Sequence, residues 1–349
     1  MKKTLLTVAI VALMVCTVLS LVACGGTTDD SFEHLAKPEL PASVSKGFGF
    51  SNDYSNTVAP ETKPSEMTDI TFLLDWAPNT NHTGLYVAKN KGFYEAEGLN
   101  VKFVQPDITG TSGSVAAGNA EFGIDFQEQM IFHEQNKVGV TAVSAIIQHN
   151  TSGIVSRKSL GITKPADMIN HKYATWGIPG EQAVIYGLLK NGGVDPTAQA
   201  MIPNTVMDIV AEFKNPQGAE CVWSYAAWDK IILDKAGIET NFIWMKDYAG
   251  LDYYTPVIVA NNEYMSANPE IVKAFLRATK KGYEYAIANA KDAADILIAE
   301  NPELEASKEI IYASQQYLAG EYQSDAPYWG YIDQARWDGF FSLVCSFNK

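Results

Sequence analysis

The chain has 349 residues, 47% of them hydrophobic and 19% charged, and its 26 Lys and Arg against 40 Asp and Glu give a net charge of −14. So acidic a balance argues against nucleic acid as a partner, although it fixes nothing about the charge inside a cleft. Its four cysteines form no CxxC, and neither HExxH nor a His/Cys cluster occurs, so no metal site is expected.

Lys2 and Lys3 precede a run, residues 5–22, that is almost wholly apolar. A basic start, an apolar middle and a small residue before the cut point read as a cleaved export signal rather than a membrane span. Leu21-Val22-Ala23-Cys24 resembles the bacterial lipobox, which implies lipidation of Cys24 and anchoring on the extracytoplasmic face of the cell membrane. Loss of residues 1–23 would remove both lysines and take the charge from −14 to −16. Residues 24–68, rich in Gly, Ser, Thr, Pro and acids, read as a lipid tether in which Phe48, Phe50 and Tyr54 can dock locally. For the remaining cysteines, Cys221 and Cys345, spacing alone does not say whether they pair.

An apolar run at 70–74 predicts a strand. It stops at Asp75-Trp76-Ala77-Pro78-Asn79-Thr80-Asn81-His82, where proline and asparagine make a turn. A helical pattern from Thr83 and a strand over 100–104 complete a unit long enough for a right-handed parallel crossover. Further strand-like runs fall at 121–125, 141–147, 152–156, 172–176, 218–223, 242–245 and 257–260, and helical periodicity holds from 268 onward. Strands alternating with helices mean parallel α/β sheets, which place ligands beyond the carboxyl ends of their strands. The small-residue loop 107–114 offers backbone N–H groups to an anion, or is a plainly capped helix start. No GxGxxG or GxxxxGK[ST] supports a nucleotide.

The stretch from Asp75 through Thr83-Gly84-Leu85-Tyr86, followed by Lys91-Gly92-Phe93-Tyr94, resembles the solute-binding proteins of the thiamine pyrimidine-precursor family, which also includes pyrimidine synthases of the same fold. Weaker matches at Glu121-Phe122-Gly123, Phe126-Gln127-Glu128, Lys164-Pro165-Ala166-Asp167 and Tyr254-Thr255-Pro256 extend the resemblance over residues 68–294. It implies an α/β type II periplasmic-binding-protein fold, whose two lobes close on ligand between them. Lobe 1 is expected at 69–157 plus 255–349 and lobe 2 at 158–254, with crossovers near 157–171 and 251–255. It also implies an aminopyrimidine ligand, an ABC permease and its ATPase as partners, no cofactor and no catalysis; a monomer is expected. The family's synthases carry a cysteine-rich segment and a sacrificial histidine. Residues 247–255 hold no cysteine, 127–131 hold no histidine, and His133 is displaced. The alternative cargoes are a riboflavin-like heterocycle or a sulfonate or nitrate, and an anion would want Arg or Lys in the cleft.

The candidate ligand residues lie at strand ends. Trp76 can stack on a flat ring or pack on the sheet. Asn79 and Asn81 can read ring nitrogens and amines or shape the turn. His82 is a contact or a helix-start residue, and Tyr86, one turn on, a contact or core. Glu128 and Glu181, one in each expected lobe, can accept two N–H groups or simply favour a helix start. Gly177 precedes Glu181, and Trp223 and Tyr225 offer the opposite stacking face. Near the return crossover, one of Asp247, Tyr253 and Tyr254 is expected to reach the cleft.

Overall fold

The computed structural model describes residues 32–60, 66–106, 110–204 and 208–348. The export signal, Cys24 and residues 107–109 of the small-residue loop lie outside the described residues. Strands follow in chain order as β1 (Glu33–His34), β2 (Thr68–Leu73), β3 (Leu99–Val104), β4 (Phe122–Asp125), β5 (Val140–Ala145), β6 (Ser152–Arg157), β7 (Tyr173–Thr175), β8 (Ala200–Pro203), β9 (Cys221–Tyr225), β10 (Thr240–Trp244) and β11 (Val257–Asn261).

They form two mixed sheets. In the first, ordered β3-β2-β4-β11-β5, β2 runs parallel to β3 and β4, and β11 runs antiparallel to β4 and β5. In the second, ordered β1-β8-β7-β9-β6-β10, β7 is parallel to β8 and β9 while β1, β6 and β10 are antiparallel to their neighbours. Ile70 and Phe72 enter one core beside Leu85, Ile124, Ile258 and Phe275, whereas Leu73 enters the other with Val257. Alternate residues of β2 thus bury opposite faces, as a sheet covered by helices on both sides requires.

The chain leaves the first sheet after Ala145, joins the second at Ser152, and returns between Trp244 and Val257. The first crossing comes earlier than the 157–171 expected, because β6 pairs with β9 and β10 of the second sheet. An apolar run records that a strand is buried, but not which sheet buries it. Much of the expected tether is also packed. Leu35 and Leu40 are buried, β1 pairs with β8, and Phe50 bridges to Ala142 on β5. No helix among the described residues is long and apolar enough to cross a membrane.

The loop after β2 is held from beneath. The Tyr283 hydroxyl donates to the Asn81 carbonyl at 2.6 Å, and the Tyr322 hydroxyl to the Thr80 carbonyl at 2.5 Å. The Thr80 and Ser314 hydroxyls share a hydrogen bond of 2.6 Å. Tyr283 is itself fixed by stacking on Trp329, with ring centroids 4.1 Å apart. This is possible because helix Thr83–Asn90 meets helix Pro269–Ala288 at Gly84, where a Cβ would overlap the Tyr283 ring. Gly84→Ala must therefore part the two helices, at a cost of about 1–3 kcal/mol. Thermal unfolding should show a lowered Tm for Gly84→Ala and none for Gly113→Ala, whose added methyl meets nothing within 4 Å.

Candidate ligand-binding cleft

Two helices begin face to face, one from each sheet. Helix Gln127–Gln135 follows β4, and helix Pro179–Asn191 follows β7. Gly180 lets them meet: a Cβ there would lie 3.1 Å from the Glu128 carbonyl oxygen. Gln127 ties its helix start to the return segment. Its N–H donates to the Tyr254 carbonyl at 3.2 Å, and its Oε1 accepts the Tyr254 N–H at 2.8 Å. Its Nε2 donates to the Trp337 carbonyl at 2.8 Å.

The next residue, Glu128, is buried, and its Oε2 has no hydrogen-bond partner. Burial pushes its carboxyl up to about 8, against the pull of a backbone N–H, with nearby Asp125 adding to the rise. Trp223 Nε1 and Thr255 Oγ1 are likewise buried without a partner. Burial drives the Tyr225 phenol at the end of β9 far up, and the charges of Glu128, Asp75, Asp229 and Glu181 drive it further. Burial and then Glu128 do the same to Tyr253. The charges of acids that follow strands of both sheets thus act on Tyr225.

Aromatic rings line the same place. Trp223 lies 6.4 Å from Tyr225 at an interplanar angle of 27°, and 5.9 Å from Trp176. The series runs from buried Trp223 out to Trp176, which is 46% exposed. On the loop after β2, Trp76 is 72% exposed. Trp76 and Trp176 are the two exposed indoles among the described residues, each following a strand.

The other expected residues divide sharply. Glu181 is buried but fully engaged, accepting from the Tyr173 hydroxyl at 2.6 Å, the Thr175 hydroxyl at 2.9 Å, and the N–H groups of Trp176 and Gly177 at 3.2 and 3.1 Å. Burial still raises its pKa. Gly177, at φ +73, closes that turn. His82 is wholly buried with both nitrogens used. Its Nδ1 accepts the Asn79 N–H at 3.2 Å, which leaves the proton on Nε2, donated to Asp75 Oδ1 at 2.6 Å. His82 therefore aims Asp75. Asn79 is a turn former, accepting from Asn81 N at 2.9 Å and donating to the Ala77 carbonyl at 3.1 Å. Asn81 gives its carbonyl to Tyr283.

Tyr86 lies in the helical layer, 4.9 Å from the Phe103 ring and packed with Ala294 and Leu297, away from the cleft. Tyr254 is core: its hydroxyl accepts the Asp333 N–H at 2.9 Å, and its ring lies 5.4 Å from the Arg336 guanidinium. Asp247 sits on an exposed turn after β10. Of the three return-segment candidates, Tyr253 is the one beside Glu128. Trp176, Asp229 and Thr255 are not among the candidates that the sequence offers. Trp176 had the same signal as Trp76, an aromatic at a strand's carboxyl end.

Residues 79–293 match the family model described as NMT1/THI5 like. The chain is 25% identical over 232 residues to the formylaminopyrimidine-binding protein of Halalkalibacterium halodurans, covering 66% of this chain and 70% of that one. It is 26% identical over 240 residues to the 4-amino-5-hydroxymethyl-2-methylpyrimidine phosphate synthase of Legionella pneumophila, covering 67% and 74%. Its structure is similar to that of the periplasmic aliphatic sulphonate binding protein SsuA from Escherichia coli, with a TM-score of 0.62 at 13% identity over 80% of this chain and 85% of that one. At that identity the likeness shows the fold alone, a periplasmic-binding-protein fold of two α/β lobes. With a match that spans well over half its length, the chain belongs to the NMT1/THI5-like family.

Proposed function

We propose that the protein is an extracytoplasmic solute-binding lipoprotein of an ABC importer, which takes a thiamine pyrimidine precursor into the cleft between its lobes and passes it to a membrane permease. The observation that carries this reading is the buried, unpartnered Oε2 of Glu128. The edge of an aminopyrimidine presents a ring nitrogen beside an exocyclic NH₂. With its pKa at about 8, Glu128 holds a proton to give to the ring nitrogen and an oxygen to accept from the amine, in one planar pair. Trp223, Tyr225 and Trp76 offer flat faces for the ring. With Glu128 protonated, the other acids that act on Tyr225, namely Asp75, Asp229 and Glu181, favour a neutral or cationic ring over a sulfonate or nitrate.

Binding rather than turnover is favoured by the chain's own residues. Residues 247–255 hold no cysteine, and His133, the histidine near the Glu128 turn, is hydrogen-bonded to Asp125 at 2.6 Å. Lobe closure turns on the two crossings at 146–151 and 245–256. Anchoring rests on the Leu21-Val22-Ala23-Cys24 motif, and Cys24→Ala should release the protein from the membrane fraction.

Native mass spectrometry of purified protein should show one aminopyrimidine retained and unconverted; retention of only another ligand class, or conversion of the pyrimidine, would sink the assignment. Trp76→Ala should weaken that ligand about tenfold by titration calorimetry, and an unchanged affinity would remove Trp76 from the stack.

Glu128→Gln should weaken binding about 10- to 100-fold, with a distinct signature in the free protein. The folded carboxyl titrates at about 8 against a usual 4.5. The unfolded chain therefore loses this proton first as pH rises, and folded stability falls between pH 4.5 and 8. Glu128→Gln removes that fall. Melting should show the variant near wild type at pH 4.5 and more stable by on the order of 3–5 kcal/mol at pH 9.

A further inference from the structure

We infer that residues 33–57 form a strap that latches the two lobes together and biases them toward closure. The strap grips the free edge of each sheet. At one end β1 pairs with β8 through Glu33↔Met201 and His34↔Ala200, and Leu35 N–H donates to the Gln199 carbonyl at 3.1 Å. The next turns of chain, with Leu40 buried, run across to the first lobe. There Ser51 N–H donates to the Ala142 carbonyl and Ala142 N–H to the Gly49 carbonyl, both at 2.9 Å, on edge strand β5. Trp337 Nε1 donates to the Phe48 carbonyl at 2.6 Å. Asn52 exchanges two hydrogen bonds with the backbone of Ile332, and Arg277 reaches the Thr57 hydroxyl at 3.0 Å.

The strap is thus a link between lobes beyond the two main-chain crossings, alongside the C-terminal helix Gln334–Cys345, whose Leu343 and the following Phe347 pack on Gly187 and Tyr186. The strap's ends are unequal. The first-lobe end is fixed by paired backbone, an indole, an amide and a guanidinium, whereas the second-lobe end has one two-residue strand and the buried Leu35. In this proposal hinge opening draws the two ends of the strap apart, and the weaker end lets go: β1 leaves β8. Every contact at that end then counts toward the closed state, because it exists only there. The pairing also covers β8, which would otherwise present an open edge. The inference rests on the two-lobed closing architecture but not on any ligand assignment.

The test uses the free protein. Dyes on Lys102→Cys in the first lobe and Lys235→Cys in the second, both exposed positions, report inter-lobe distance by single-molecule energy transfer. Leu35→Ser weakens the buried grip, and His34→Pro, at an exposed position, disrupts strand pairing while leaving Leu35 in place. Either variant should raise the open-to-closed ratio about tenfold, with circular dichroism unchanged. Should Leu35→Ser misfold, His34→Pro carries the test alone. Distance distributions identical to wild type in the folded variants would overturn the strap. A shift without ligand stands whatever the cargo proves to be, and loss of aminopyrimidine binding would not move it.

Discussion

One oxygen atom organises the cleft. Glu128 Oε2 is buried with no donor, a condition that costs on the order of 1–3 kcal/mol for an unpaired buried polar group. Its neighbours keep it from escaping. Gln127, one residue before, is bound through its N–H and both ends of its side-chain amide to Tyr254 and Trp337, so the helix start cannot turn to seek water. Gly180 brings the opposing helix against the Glu128 backbone. The fold thus holds this oxygen in place without giving it a partner of its own. An unsatisfied buried atom of this kind calls for an explanation, and the proposed ligand supplies one.

Glu181 shows how narrow the distinction is. Both glutamates follow a strand, open a helix and lie buried near Tyr225. Glu181 is ringed by two hydroxyls and two backbone N–H groups. Its desolvation is met by the fold, and it serves to shape the turn carrying Trp176. Glu128 has a backbone N–H to set against its desolvation, and its Oε2 has nothing. The two helix starts are therefore unequal: one holds an unsatisfied oxygen, the other a satisfied carboxylate beside Trp176.

Much of this was legible in the sequence. The apolar run at 70–74, and the turn residues from Asp75 to His82, announced an α/β unit with its loop at a strand's carboxyl end. Trp76, Glu128, Trp223 and Tyr225 are candidates by that rule. Tyr86 is a candidate from its place one turn into the helix and Tyr254 from its place at the return crossover, and neither place says which neighbours a tyrosine will meet. Whether a carboxylate is satisfied depends on donors such as Tyr173 and Thr175 being brought beside it by the fold. The sheet membership of β6 and the pairing of β1 were hidden for a related reason. Both are set by contacts between segments far apart in the chain, and a two-residue strand carries no periodicity.

The meeting of the two helix starts sets the clearance of the cleft. With Gly180 bare, the two helices approach until the Gln129 amide and the Glu128 carbonyl leave less room than one methyl group. The contact is part side chain and part main chain, so the spacing of the two sheets at this point is set jointly by a flexible amide and a fixed carbonyl. Any side chain at position 180 would act as a wedge, holding the two helix starts further apart.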